Sequence, residues 1–328
     1  MNQRRLLMLA MGASLAGHAE LLRAQTATAV IRRVSVLAPS TRAREEVTLK
    51  AFFDEMRQIG WIEGQNIAYD RVYADDQHQA LPRLAAELVA RRPDLIYAPP
   101  QSAAVAAKRA TSVIPIVFAT GTDPVGTGLV MSLAGPGGNA TGVISVIDSL
   151  APKRLELLLE VVPSVKRLGL IGNPDDPRTK LDRIALERVT SALGVTLIVA
   201  EASSPAGFDA AVASLIRQRV NAITMSGSIG TNLRERLVEL TLRQRIPLTS
   251  GAGELADAGA LLVYGSPLPN QFRRSAHLVD KVLKGVRPAD IPVEQPTTFE
   301  LVINMKTARA LGITIPQSIL LRADRVIE

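Results

Sequence analysis

Residues 117–143 read VFATGTDPVGTGLVMSLAGPGGNATGV, an apolar run that opens into a segment with seven glycines, two prolines and one carboxylate. Glycine-rich turns after a strand often cradle phosphate, so the spacing decides what this one is for. A phosphate-binding loop needs G-x-x-x-x-G-K-[ST], and the stretch holds no lysine. A dinucleotide fingerprint belongs directly after the first strand, with an acidic residue about 20 positions on. The first strand here ends in APSTRAREE (38–46), which has no glycine. Both nucleotide readings fail. What remains is a strand end, a polar turn at Gly121-Thr122-Asp123-Pro124, an expected short helix over 125–133 and a sharp turn at GPGGN. Asp before Pro is a common helix start, because the carboxylate accepts from free amides of the first turn. The same carboxylate also stands at a strand tip.

Outward from this stretch the chain alternates strand and helix. RRVSVLAPS, NIAYDRVY, DLIYAPP and IPIVFAT read as strands. Between the first two, Val47, Leu49, Phe52, Phe53, Met56 and Ile59 predict one helix over 45–59, stopped by Gly60. The rhythm restarts after 147 with helix PKRLELLLEVV, and strands VKRLGLIGNP, GVTLIVAEA, VNAITMSGS, IPLTSGAGE and GALLVYGS follow among further helices. Helix 270–284, strand FELVIN and helix 306–311 complete the chain. Strands alternating with helices of this length predict parallel sheets covered on both faces. Two such series predict an α/β fold of two doubly wound lobes with a ligand cleft between them.

Composition narrows the function. Charged residues make up 21% and aromatic residues 3% of the 328, so the core is aliphatic. The formal charge of +7 owes part of its excess to Arg4, Arg5 and Arg23, and no basic block interleaved with aromatics suggests a nucleic-acid partner. Without cysteine there is no disulfide, thiol nucleophile or Cys–zinc site. His18, His78 and His277 are isolated, so neither metal nor catalytic residues are expected, and no cofactor. The N-terminus opens with two arginines, an apolar run from Leu6 to Ala16 and then small residues, the layout of a secretory signal over 1–29 cut between 24 and 29. The run is too short to span a bilayer. QRRLLML leaves twin-arginine export open beside the general route. The mature protein is expected in the periplasm.

Doubly wound sheets bind ligands at the carboxyl ends of their strands. The loops there are PST, PPQS, TGTDP, GNPDDP, SGSIG and SGAGE, and none carries a nucleophile–base pair. They supply the candidate ligand-binding residues Ser40, Thr41, Arg42, Gln101, Ser102, Thr122, Asp123, Asn173, Ser226, Ser228 and Glu254.

RRPDLIYA, IPIVFATGTDPVGTGLVMSLAGPGGNATGV, KRLELLLEVVP, PLTSGAGELADAGAL and the C-terminal segment from LKGVRPADIP to RADRVIE carry a resemblance across the mature chain. It is to the bacterial ABC-transporter substrate-binding proteins, the type I periplasmic-binding-protein-like group that includes tryptophan and tyrosine binders. The resemblance implies two lobes with three crossovers, closing on a small solute and delivering it to a membrane permease. It implies a first lobe from 30–147 plus 265–290 and a second from 148–264 plus 291–328, with hinges near 145–148, 264–267 and 288–294. A monomer without enzymatic activity is expected. The family's Thr-Asp-Pro-Val element falls on Thr122, Asp123, Pro124 and Val125, its small residue after the third strand near Gln101 and Ser102, and its Asn on Asn173. Amino-acid binders resembling it carry Thr-Asp-Asn after the strand NAITM, where this chain has Gly227, Ser228 and Ile229. The acidic partner for a ligand ammonium is missing there, and PSTRAR supplies Arg42 and Arg44. An anionic or neutral polar solute is the resulting expectation. The rivals are a LacI-like ligand-sensing core, which needs an N-terminal helix-turn-helix, and a two-domain α/β enzyme, which needs a nucleotide loop or acid–base constellation.

Overall fold

Alternating strands and helices build two sheets, each covered on both faces. The computed structural model describes residues 31–121, 123–144, 149–174, 177–202, 205–226 and 231–328. The expected leader over 1–29, Thr122, Ser228 and the hinge at 145–148 lie outside them.

The first lobe contains β1 (Arg32–Ala38), α1 (Arg42–Thr48), α2 (Lys50–Gln58), β2 (Ile67–Tyr73), α3 (Leu81–Ala90), β3 (Leu95–Tyr97), α4 (Gln101–Ala110), β4 (Ile116–Gly121) and β5 (Ala140–Ile144). Its strands lie in the order β2-β1-β3-β4-β5, all parallel. Alternate side chains point to opposite faces. Val34 and Val36 of β1 therefore pack with Phe52 and Met56 of α2, while Leu37 packs with Leu84 of α3 and Ala104 of α4. Burial on both faces explains the nearly unbroken apolar run of β1.

The second lobe begins with α5 (Ala151–Val161), β6 (Arg167–Gly172), α6 (Pro177–Thr190), β7 (Thr196–Glu201), α7 (Pro205–Arg217) and β8 (Ala222–Met225). It continues with α8 (Thr231–Arg243), β9 (Leu248–Ser250), α9 (Glu254–Ala258) and β10 (Leu262–Gly265). After α10 (Leu268–Leu283) come β11 (Glu300–Asn304), α11 (Met305–Leu311), α12 (Gln317–Leu320) and β12 (Arg325–Ile327). The sheet order is β12-β11-β10-β9-β8-β6-β7, parallel except where β11 returns antiparallel to β10. The core divides between α7, α8 and α9 on one face and α5 and α6 on the other.

Although β10 lies in the second sheet, α10 packs its Phe272, Ala276 and Val279 against β3, β4 and β5 of the first. The expected lobe boundary at 290/291 needs moving. Ile291 and Val293 are buried in the first lobe, and Glu294 bridges to Val143 as an extension of the sheet edge. The chain thus passes between sheets between Ile144 and Ala151, between Gly265 and Leu268, and between Glu294 and Glu300.

Two expected helices differ. The helix over 45–59 is broken at Leu49 into α1 and α2, and Val47, assigned to its apolar face, is 78% exposed. Thr48 Oγ1 donates to Arg44 O at 3.0 Å, a back-bond that competes with regular helix and bends it. The helix over 125–133 is a chain of turns instead. Gly128 has φ +71°, which a continuing right-handed helix does not tolerate.

Candidate functional site

Parallel strands place all their carboxyl ends on one edge of each sheet, and the crossovers bring the two edges together. Only Ser266 and Pro267 separate β10 from α10. Midway along α10, Ser275 Oγ lies 2.8 Å from Tyr97 Oη at the end of β3, and Arg274 pairs with Glu294. The carboxyl edges of both sheets therefore border one cleft, and the residues after β1, β3, β4, β6, β8 and β9 are its tips.

At the β1 tip the chain leaves the strand through Pro39 into α1. Arg42 pairs with Glu46 at 2.7 Å on the exposed side of α1, and Arg44 pairs with Asp76 at 2.9 Å. Thr41 occupies the N-cap of α1 without a side-chain cap bond. Ser40 is buried, and its hydroxyl donates to Glu45 Oε1 at 2.9 Å. Glu45 is only 6% exposed. Burial pushes its carboxyl above the usual carboxylate range; the hydrogen bonds from Ser40 and the charge of Arg44 oppose that rise, and Asp76 adds to it. The loop over β1 is held by Asp76 N donating to Pro39 O, with Asp75 and Asp76 both at positive φ (48° and 62°), an uncommon conformation for two consecutive non-glycine residues.

The β3 and β4 tips are joined by Gln101 and Asp123. Asp123 N donates to Gln101 Oε1 at 3.0 Å, and Gln101 Nε2 donates back to Asp123 O at 3.4 Å. The Asp123 carboxylate accepts from Gly126 N at 2.7 Å, and its carbonyl accepts from Thr127 Oγ1. This closes the expected cap around a turn rather than around a helix. Gly126 is required because a Cβ there would overlap the Asp123 carboxylate. Gln101, Ser102 and Thr127 also line an open groove of about 610 Å³ between α3 and α4, with His78 and Arg109 as its basic groups. Asn139 of the N-A-T sequence is buried, its amide donating to Thr111 O and Ile114 O while its carbonyl accepts from Lys108 Nζ. The tripeptide is a structural clip.

In the second lobe Asn173 is half-buried after β6, and Ser226 is 2% exposed after β8. Ser226 Oγ and Thr179 Oγ1 have no hydrogen-bond partner among the described residues. Gly172 keeps the β6 tip open beside them, since a Cβ would lie 2.5 Å from Thr179 Oγ1. Glu254 begins α9, exposed, with Arg234 at 3.9 Å. Beneath these tips lies a pair the sequence reading missed. Arg154 of α5 donates to Asp182 of α6 at 3.0 Å, with both side chains about 95% buried (6% and 5% exposed). Burial lowers the Arg154 guanidinium, and Arg178 adds to that fall while Asp182 opposes it. Asp182 also accepts from Ser149, at the chain's entry into the lobe, and a Cβ at Gly251 would lie 2.9 Å from Arg154 Nη1. The pair ties the first crossover to the β9 tip.

The structure thus brings Ser40 to Glu45 and Gln101 to Asp123, and sets Asn173, Ser226 and Glu254 on the opposing edge. Glu45, Arg154 and Asp182 were legible only as helix-face polar residues. Their burial comes from contacts with distant elements. Among the described residues no group of three or more His, Asp or Glu gathers as a metal site, and no helix is long and apolar enough to cross a membrane.

Two α/β lobes hinged around a cleft edged with polar strand tips define a type I periplasmic-binding-protein-like fold. Residues 33–327 match the model of the family described as ABC transporter substrate binding protein, and the chain belongs to that family. It is similar to a tyrosine-binding protein of Clostridioides difficile, 28% identical over 264 residues that cover 80% of this chain and 76% of the relative. A solved ABC domain from Streptococcus pneumoniae in complex with L-Trp superposes with a TM-score of 0.80 at 26% identity, covering 90% of this chain and all of that one. A conserved domain protein of Vibrio cholerae superposes at 0.77 and 27% identity, covering 90% of this chain and 99% of that one.

Proposed function

We propose that this protein is exported to the periplasm, captures a small polar solute of the amino-acid class between its two lobes, and delivers it to the permease of an ABC importer. The observation that carries this reading is the family match over nearly the whole chain, on a fold whose strand-end loops carry Ser40, Gln101, Asp123, Asn173 and Ser226. Relatives at 26–28% identity are described with tyrosine or bound L-Trp, which moves the solute class away from the anionic or neutral solutes expected from Arg42 and Arg44. Those two arginines are engaged with Glu46 and Asp76. Binding needs a concave site, a few oriented polar groups and lobes that close. The protein acts as a monomer without catalysis, its lobes turning about the three crossovers.

The test is a thermal-shift screen of the mature protein against the amino acids, with purines, carboxylates and sugars as comparison sets. A ligand that binds only the native state raises the melting temperature. A rise confined to amino acids supports the reading, and a rise confined to sugars or purines refutes the solute class. Export is tested separately: a periplasmic extract should hold a species shortened by about 24–29 residues, and full-length protein found only in the cytosol removes the transport reading.

A further inference from the structure

Two carboxylates are buried among the described residues, Glu45 and Asp182. Asp182 has its cation in Arg154. Glu45 forms no ion pair with a described residue. Its nearest cation, Arg44, turns outward to Asp76. The other titratable groups that face it are Asp76 from the loop after β2, Tyr73 at the end of β2 and Tyr97 at the end of β3, an acid and two phenols that bring no positive charge. Ser40 supplies the carboxylate with hydrogen bonds from hydroxyl and backbone, neither of which brings a positive charge. A buried carboxylate is costly unless it is paired or protonated. This one stands at the tip of β1, between β2 and β3 in the first sheet, on the edge that borders the cleft.

We propose that Glu45 is the first-lobe recognition group for a protonated amine on the solute, with Ser40 as the positioning residue that holds its carboxylate. The inference rests on the solute-capture reading and specifies its chemistry: the ligand carries an ammonium group. The acidic partner absent after β8 is supplied from the opposite lobe. Because burial favours the protonated acid in the empty protein, forming the carboxylate–ammonium pair moves that proton to solvent, and binding releases protons wherever the raised acid is still protonated.

The experiment is titration calorimetry on the wild type, Glu45→Gln and Ser40→Ala. Its probes are matched pairs: L-tyrosine with 3-(4-hydroxyphenyl)propionate, and L-tryptophan with indole-3-propionate. The wild type should prefer the amine of a pair by at least about tenfold, the worth of a charge-assisted hydrogen bond. Glu45→Gln should erase that preference, and Ser40→Ala should reduce it. Running the titration in buffers of different ionisation enthalpy should show proton release in the wild type and none in Glu45→Gln. The ligand-free Gln variant should melt no lower than the wild type, so lost affinity is not lost fold. A Gln variant that keeps the amine preference, or melts well below the wild type when ligand-free, overturns the proposal. If the wild type binds neither member of either pair, the inference falls for these two amino acids, while the solute class is decided by the thermal-shift screen. Repeating the titration with the best amino acid of that screen and its des-amino acid then upholds or overturns the role of Glu45. If the wild type binds the des-amino acids equally well, only the role of Glu45 falls.

Discussion

Among the described residues each lobe buries one carboxylate near its cleft edge, and the two are treated differently. Asp182 in the second lobe is matched by Arg154 and by the hydroxyl of Ser149. Glu45 in the first lobe has Ser40 and, among the described residues, no ion-pair partner. A buried ion pair of this kind is architecture: it fixes the crossover, α5, α6 and the β9 tip relative to one another. A buried acid without a cation adds nothing to the stability of the empty protein at neutral pH. Its place on the ligand edge is where strain of that kind is retained for binding.

The comparison breaks most visibly at the paired site. Asp182→Ala strands the Arg154 charge in the interior and should cost about 3–5 kcal/mol, read as a large loss of melting temperature or urea midpoint. Replacing both partners together, Arg154→Met with Asp182→Leu, should recover most of that loss, because the pair's desolvation cost vanishes with its attraction. A double variant as unstable as the single one would show that the pair does more than neutralise itself.

At the lone acid the sign reverses. The folded-state pKa of Glu45 is raised, so its contribution to stability is fully present below the ordinary carboxylate range and is lost as pH rises through the raised value. Glu45→Gln keeps an oxygen to accept from Ser40 and has no charge to bury. Its melting temperature should equal the wild type's near pH 4 and exceed it at pH 8. A variant less stable than the wild type at pH 8 would mean that the carboxylate has found a partner in the empty protein.

Smaller effects belong to the exposed tips. Asp123→Ala removes the acceptor for Gly126 N and should cost about 0.5–2 kcal/mol, whereas Asp123→Asn retains it and should cost a few tenths at most. A clear loss of solute affinity in the Asn variant would show that the carboxylate also meets the ligand. Arg42→Ala should change stability by less than about 1 kcal/mol, because its pair with Glu46 is exposed and local. A larger change would place Arg42 in the cleft chemistry instead of on the surface of α1.

These contrasts also explain what the sequence could reveal. Period-2 and period-3.6 patterns are local, so the two lobes and most elements were legible, as was the capping role of Asp123, though it closes a turn where a helix over 125–133 was expected. The Glu45-Glu46 doublet reads as a solvated helix face, and only the fold of the β1 tip under the Asp75-Asp76 loop separates the buried member from the exposed one. Arg154 in KRLELLLEVV looks equally ordinary until α6 brings Asp182 to it from 28 positions away. The break at Leu49 follows from a threonine back-bond that periodicity does not register. β12 and α12 are too short, at three and four residues, to carry a period of their own.

The central claim is that the two lobes close on a solute of the amino-acid class. It is tested most directly by small-angle X-ray scattering of the mature protein, alone and saturated with whichever amino acid raises its melting temperature most. The account predicts a smaller radius of gyration in the saturated sample, as the lobes rotate about the three crossovers to bring the tip of β1 toward those of β6 and β8. A scattering profile unchanged at saturation would contradict closure and leave a rigid cleft in its place.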